Sequence, residues 1–323
     1  MGEGEGGGEG LTQHDHGVDK MANTHILAQE FDYFEPKTIE EAVTLLAGHQ
    51  DRAKPIAGGT DLLVWMKMGK MSPQCLINIA RIPALRFLIE DRGLRIGALT
   101  SFRELEKSLL IEKKYTALYE AARAVTSVQI KNMGTIGGNL CNASPAADSA
   151  PPLIALGGRV RLLEEGHERV LPLEEFFVGN GETVLSPREL LLEVRVPEFS
   201  GPTGSAFIKM ARVAADLAKI SIAVMVLREG DVCKDCRIAM GGVAKVPLRL
   251  KTTEAVFRGK EFGPDIVERG SLEASQEIQP RSRRSTAFYK KEVTKILLRD
   301  AMDLAWKRAD EKINAKWSIS NYQ

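Results

Sequence analysis

The chain has no run of about 18 consecutive apolar residues, the minimum for a membrane-spanning helix. Its longest clean apolar stretch, near Ile220–Leu227, suits a buried strand. It also lacks an excess of either charge. Lys and Arg number 44 against 43 Asp and Glu, a formal net charge of +1. A nucleic-acid binder held by bulk electrostatics normally carries a clear basic surplus, so that class is disfavoured. Cysteine is scarce: Cys75, Cys141, Cys233 and Cys236 are too few for a disulfide scaffold. Cys233 and Cys236 form a C-x-x-C, but it follows a hairpin turn at Arg228-Glu229-Gly230-Asp231 and leads into a strand. A redox pair would open a helix, and a zinc site would need a second ligand pair, so a structural or incidental role is expected. His14, His16, His25, His49 and His167 fall in the N-terminal leader, at its edge or in loops. No Ser-His-Asp arrangement is available, and neither a catalytic side chain nor a metal site is expected.

What is present is a chain of 323 residues, 44% hydrophobic, enough for two or three domains with real cores. The Gly- and Glu-rich start has no basic opening and no apolar segment, so it is not a secretory signal. Residues 1–25 read as a disordered leader, with Met21 an alternative start, and the cytoplasm is the expected location.

Two glycine pairs sit in near-matching settings, Ala57-Gly58-Gly59-Thr60-Asp61 and Thr135-Ile136-Gly137-Gly138-Asn139. Each follows a short segment of β character. Glycine allows φ > 0 and close approach to the main chain, and consecutive N–H groups in such turns can form an anion nest. Two such turns on separate segments suggest a diphosphate clamped between two parts of the chain, with FAD the leading candidate. Neither glycine pair fits G-x-G-x-x-G or G-x-x-x-x-G-K-[ST], which disfavours a Rossmann fold or a P-loop. Thr60, Asp61, Thr135 and Asn139 add polar partners at the turns. Asn142, Ser144 and Asp148 extend the second segment as a polar stretch bounded by core-like residues. Such groups are not buried without partners.

The pattern divides into three units. Thr38-Ile39-Glu40-Glu41 reads as a capping box opening a helix, followed by strands at Lys54–Ala57 and Gln74–Ile79, up to Pro83. The second unit has a hairpin around Asp91-Arg92-Gly93, a capping box at Ser101-Phe102-Arg103-Glu104, and helices at Ala117–Ala124 and from Pro151. Its strands at Arg159–Leu163, Val170–Leu173 and Leu190–Val196 suggest a mostly antiparallel sheet. The third holds strands around Ser205–Met210, Ile220–Leu227 and Cys236–Met240, then helices, the last at about 285–309. Grouped strands with segregated helices indicate an α+β fold.

These glycine segments, with Asn142-Ala143-Ser144-Pro145-Ala146-Ala147-Asp148, resemble the two FAD motifs of the medium subunit of molybdenum hydroxylases. That is the xanthine dehydrogenase and aerobic carbon monoxide dehydrogenase group. The likeness continues at Phe207-Ile208-Lys209, Arg212, Asp216-Leu217-Ala218 and Ile238-Ala239-Met240-Gly241-Gly242-Val243-Ala244, and covers about 31–309. It implies a two-lobed, PCMH-type FAD-binding domain over 26–200, with lobes at 26–83 and 84–200. A C-terminal domain with a three-stranded antiparallel sheet and helices would occupy 201–323.

By the same resemblance, Ile56, Ala57, Gly58, Gly59, Thr60, Asp61 and Leu62 wrap the diphosphate and ribityl chain together with Thr135, Ile136, Gly137, Gly138 and Asn139. Asn142 and Ser144 belong to the same cofactor set. Asp148 binds a sugar or ribityl hydroxyl, Leu191 packs near the flavin or adenine, and Lys209 lies at the isoalloxazine edge. A cation there would favour the reduced, anionic ring. Arg212 and Asp216 read as a structural ion pair. The implied protein is an FAD-binding oxidoreductase subunit. A large molybdopterin subunit would oxidise the substrate, and a small 2Fe-2S subunit would relay electrons to the flavin and on to NAD⁺, a quinone or ferredoxin. The assembly would be a dimer of heterotrimers, and no cluster is expected in this chain. A self-contained FAD-dependent reductase or oxidase, and a non-catalytic scaffold with ordinary glycine turns, are the rival readings.

Overall fold

In this computed structural model the described residues are Leu27 and 29–320 except 215, 283 and 284, with only the helical backbone described over 311–320. The expected leader, with His14, His16 and His25, lies outside them.

Thr38 ends an extended segment, and its hydroxyl accepts from Glu41 N at 3.1 Å, which starts the helix Ile39–His49. Glu41 reaches back to Lys37 N (2.7 Å) rather than to Thr38 N, so this capping box closes one residue early. The helix buries Ala42, Val43 and Leu46 in a core shared with a three-stranded parallel sheet. In that sheet Cys75–Asn78 lies between Asp32–Phe34 and Ala53–Ile56.

The second lobe is built on a five-stranded antiparallel sheet. Its order is Leu88–Glu90, Gly93–Gly97, Leu190–Pro197, Arg159–Glu164, His167–Pro172. Ser101 and Glu104 make the complete, reciprocal capping box at the head of Phe102–Lys107. That helix and Thr116–Ala124, Ile136–Cys141 and Ala150–Ala155 share one core with the sheet, including Ile96, Phe102, Leu118, Ile136 and Val194.

Three long antiparallel strands follow, Thr203–Met210, Ile220–Glu229 and Val232–Gly241, and two-residue strands at Leu248–Arg249 and Lys260–Glu261 pair with the third. The expected sheet is therefore enlarged by two short strands. Helices Lys251–Phe257, Pro264–Glu277 and Ala287–Ser320 cover one face, which carries Ile222, Val224 and Ile238. The other face, with Phe207, Ala223 and Ala239, joins the core of the second lobe. Arg308 grips Glu120 at 2.6 and 3.1 Å, and Glu120 Oε2 also accepts from Phe207 N at 2.8 Å. This clamp ties the last helix, the edge strand Thr203–Met210 and helix Thr116–Ala124 together.

A bulge explains the C-x-x-C. On a regular strand, residues three apart face opposite sides, but the register shifts opposite Cys233–Asp235. The extra residue turns both Cys233 and Cys236 into the helix-covered core, where both thiols are free and buried.

Candidate functional site

The strand Ala53–Ile56 runs into the turn 57–61, which delivers the chain to helix Leu62–Lys67. Gly59 has φ +67°, a conformation that disfavours any side chain with a Cβ. Gly58 is glycine for a different reason. A Cβ on it would stand 1.8 Å from Met133 O and 2.5 Å from Met133 C, so the first turn lies directly on the backbone that leads into the second. The N–H groups of Gly58, Gly59, Thr60 and Asp61 donate to no acceptor among the described residues. Four consecutive free donors at one turn can serve as an anion cradle. Asp61 begins the helix without a side-chain cap, and burial pushes its carboxyl above its usual range.

The second segment is built differently. Thr135 Oγ1 accepts from Gly138 N (3.1 Å) and Thr135 O from Asn139 N (2.9 Å), making Thr135 the N-cap of Ile136–Cys141. Ile136 N and Gly137 N donate to Thr100 O and Ala98 O at 2.9 and 2.8 Å. A Cβ on Gly137 would lie 2.8 Å from Ala98 Cβ. The sequence suggested two anion nests; here the donors are consumed by a threonine cap and by docking on the segment that follows the strand Gly93–Gly97. Among the described residues the first turn keeps four open N–H groups, and the second segment keeps one, that of Thr135.

Beyond it, Asn139 Oδ1 accepts from Ser149 Oγ at 2.6 Å, and Ser144 Oγ from Ala146 N at 3.3 Å. Asn142 is the C-cap of Ile136–Cys141. Ala143 sits at φ +46°, a left-handed conformation that costs an alanine about 1–2 kcal/mol. Backbone strain of this kind concentrates at functional loops, and nothing in Asn142-Ala143-Ser144 advertised it.

Asp148 and Lys209, 61 positions apart, form a buried ion pair at 2.8 Å, and Lys209 Nζ also donates to Ala124 O at 3.2 Å. Asp148 Oδ1 is buried with no partner among the described residues. Burial pushes the Asp148 carboxyl up, against the opposing pull of the Lys209 charge and hydrogen bond. Leu191 is 3% exposed inside the second-lobe core. Arg212 and Asp216 pair at 3.0 Å on the surface, as a structural ion pair would. Two open hollows lie elsewhere, one at Gln29–Asp32 and Gln74, the other between the last two helices. The donors and the orphaned carboxylate make the glycine turns the candidate site.

No described helix is long and apolar enough to cross a membrane. No group of three or more His, Cys, Asp or Glu able to hold a metal ion occurs among the described residues.

A family model described as the FAD binding domain in molybdopterin dehydrogenase matches residues 29–199, and one described as the CO dehydrogenase flavoprotein C-terminal domain matches 205–305. The carbon monoxide dehydrogenase medium chain of Hydrogenophaga pseudoflava is 33% identical over 285 residues, 88% of this chain and 99% of that one. The glyceraldehyde dehydrogenase medium chain of Sulfolobus acidocaldarius is 32% identical over 270 residues, 83% of this chain and 95% of that one. The solved structure of the Hydrogenophaga pseudoflava carbon monoxide dehydrogenase superposes with a TM-score of 0.84 at 34% identity, covering 88% of this chain and 99% of that one. With both modules matched in order over nearly the whole described length, the chain belongs to the FAD-binding subunits of the molybdenum hydroxylase family.

Proposed function

We propose that this chain binds FAD across its two N-terminal lobes and passes electrons from an iron–sulfur partner subunit to an external acceptor such as NAD⁺ or a quinone. The observation that carries the reading is the row of four open N–H groups at Gly58, Gly59, Thr60 and Asp61, held against Met133. A diphosphate supplies acceptors for all four, and charge-assisted bonds of this kind are about twice as strong as neutral ones. The orphaned Asp148 Oδ1 fits a second group of the same ligand, a ribityl or ribose hydroxyl that donates to it.

When bound, FAD supplies the redox chemistry, since it exchanges electrons singly on one side and in pairs on the other. The chain's own residues hold and tune. Thr135 and Gly137 fix the helix start beneath the turn, Asp148 accepts a cofactor hydroxyl, and Lys209 is a cation held in place by Asp148 and Ala124 O. Thr60, Asp61, Leu62, Asn139, Asn142 and Ser144 complete the wrapping, Ile56, Ala57, Ile136 and Gly138 supply its backbone, and Leu191 is its apolar floor.

The lobes correspond to 26–83 and 84–200, with 201–323 as the C-terminal domain. Substrate oxidation belongs to a large molybdopterin subunit and relay to a small 2Fe-2S subunit, in a cytoplasmic dimer of heterotrimers. Purification of the native complex tests this through its visible spectrum and metal content. Flavin with iron and molybdenum supports the proposal. Flavin without metals in a fully active preparation contradicts it.

A further inference from the structure

The strands of the C-terminal sheet place Lys209, Ser221 and Gly241 in one row, since Lys209 pairs with Ser221 and Ser221 with Gly241 in register. The segment Asp148–Pro151 crosses over that row. Asp148 meets Lys209 at one end (2.8 Å), and Pro151 Cγ lies 3.3 Å from where a Gly241 Cβ would stand at the other. Ser221 is therefore beneath the middle of the segment. It is fully buried, and its hydroxyl, like Asp148 Oδ1, has no partner among the described residues.

Two orphaned polar atoms under one short segment are unusual, because buried polar groups are nearly always satisfied. Glycine at 241 lets Ser221 Oγ and Pro145 O close in on the same stretch of backbone, where a side chain would collide with both. The point a Cβ would take there is 2.7 Å from Ser221 Oγ and 3.2 Å from Pro145 O. Pro145 O accepts from Gly242 N at 2.7 Å and keeps a second lone pair.

We propose that Ser221 Oγ, Pro145 O and Asp148 Oδ1 surround a structural water, and that Ser221 is thereby a positioning residue for the Asp148–Lys209 pair. Three polar partners are the usual complement of a buried water. A carboxylate oxygen has two acceptor positions, so Oδ1 can take this water from below and a cofactor hydroxyl from above. Ser221 touches no cofactor atom; it acts by fixing the carboxylate.

The sign of the S221A effect decides the matter. Deleting a dry, unsatisfied hydroxyl raises stability, whereas deleting one leg of a bridging water lowers it. The expected result for the full chain is a fall in Tm of about 2–4 °C, and a much smaller fall when D148N is already present, because the two sites share the water. A crystal structure of the unmutated chain, at a resolution that shows ordered solvent, should place a water within hydrogen-bonding distance of Ser221 Oγ and Asp148 Oδ1. An unchanged or raised Tm for S221A, additive effects in the double variant, or a niche without solvent would each overturn the proposal. None of these readouts uses FAD. A separate titration should find FAD affinity weakened about tenfold in S221A, and a chain that binds no FAD at all would sink the proposed function while leaving the water test standing.

Discussion

Replacing Gly58 by alanine perturbs the junction of the two lobes directly. The new methyl carbon would lie 1.8 Å from Met133 O, and a tolerable carbon–oxygen contact needs about 3.3 Å. The first turn must therefore lift from the Met133–Gly134 backbone by about 1.5 Å, with carbonyl and peptide carbon rather than a flexible side chain in the way. Overpacking of this kind costs about 1–3 kcal/mol of stability. The larger effect falls on binding. A shift of that size breaks the alignment of at least two of the four N–H groups with a diphosphate, and each charge-assisted bond contributes about 1.5–3 kcal/mol. The expected loss is about 3–6 kcal/mol, or a rise of about two to four orders of magnitude in the Kd for FAD, read by flavin fluorescence titration. Gly48 provides the matched control. It lies in the helix Ile39–His49, where a Cβ meets nothing within 4 Å, so G48A should stabilise by about 0.5–1 kcal/mol and leave FAD affinity unchanged. If G58A folds and binds FAD within threefold of the parent, the turn does not hold the diphosphate and the reasoning fails.

Other outcomes follow from the same contacts. Because burial holds the Asp148 pKa above its ordinary 3.8, the folded chain binds more protons than the unfolded one in the window just above that value. Stability of the parent relative to D148N should therefore decline as pH rises through the window and level off above it; urea midpoints from pH 4 to 8 that show the opposite slope would refute the direction. Arg308→Gln leaves Glu120 without its bidentate partner and should cost about 2 kcal/mol by chemical denaturation, given that both groups keep partial solvent contact. All four thiols should resist alkylation at pH 8 in the folded protein. Burial raises Cys75 and lifts Cys141 to about 12, and Cys236 is held well above its usual value by its hydrogen bond to Cys233 and by burial. Rapid native labelling of Cys233 or Cys236 would contradict their placement in the core.

Local signals in the sequence carried far. The complete box at Ser101–Glu104, the hairpin at Asp91-Arg92-Gly93 and the three long C-terminal strands were legible because each depends on residues within a few positions of one another. Both glycine pairs were legible as special, but not their division of labour. Whether an N–H is free depends on distant acceptors such as Ala98 O and Thr100 O, which no local pattern reports. The same limit hid the Asp148–Lys209 pair, whose partners were visible only as separate residues. It hid the reason for Gly58 too, since the atom that excludes a side chain belongs to Met133, 75 positions away. A bulge, which shifts strand parity by one residue, concealed that Cys233 and Cys236 point the same way.

Amide hydrogen exchange of the full chain, with and without FAD, tests the central claim most directly. The N–H groups of Gly58, Gly59, Thr60 and Asp61 have no acceptor among the described residues and should exchange fast in the free protein. On FAD addition they should become protected together, while Gly137 and Gly138, already bonded to Ala98 O and Thr135 Oγ1, change little. Bound flavin with unprotected amides at 58–61 would contradict the account.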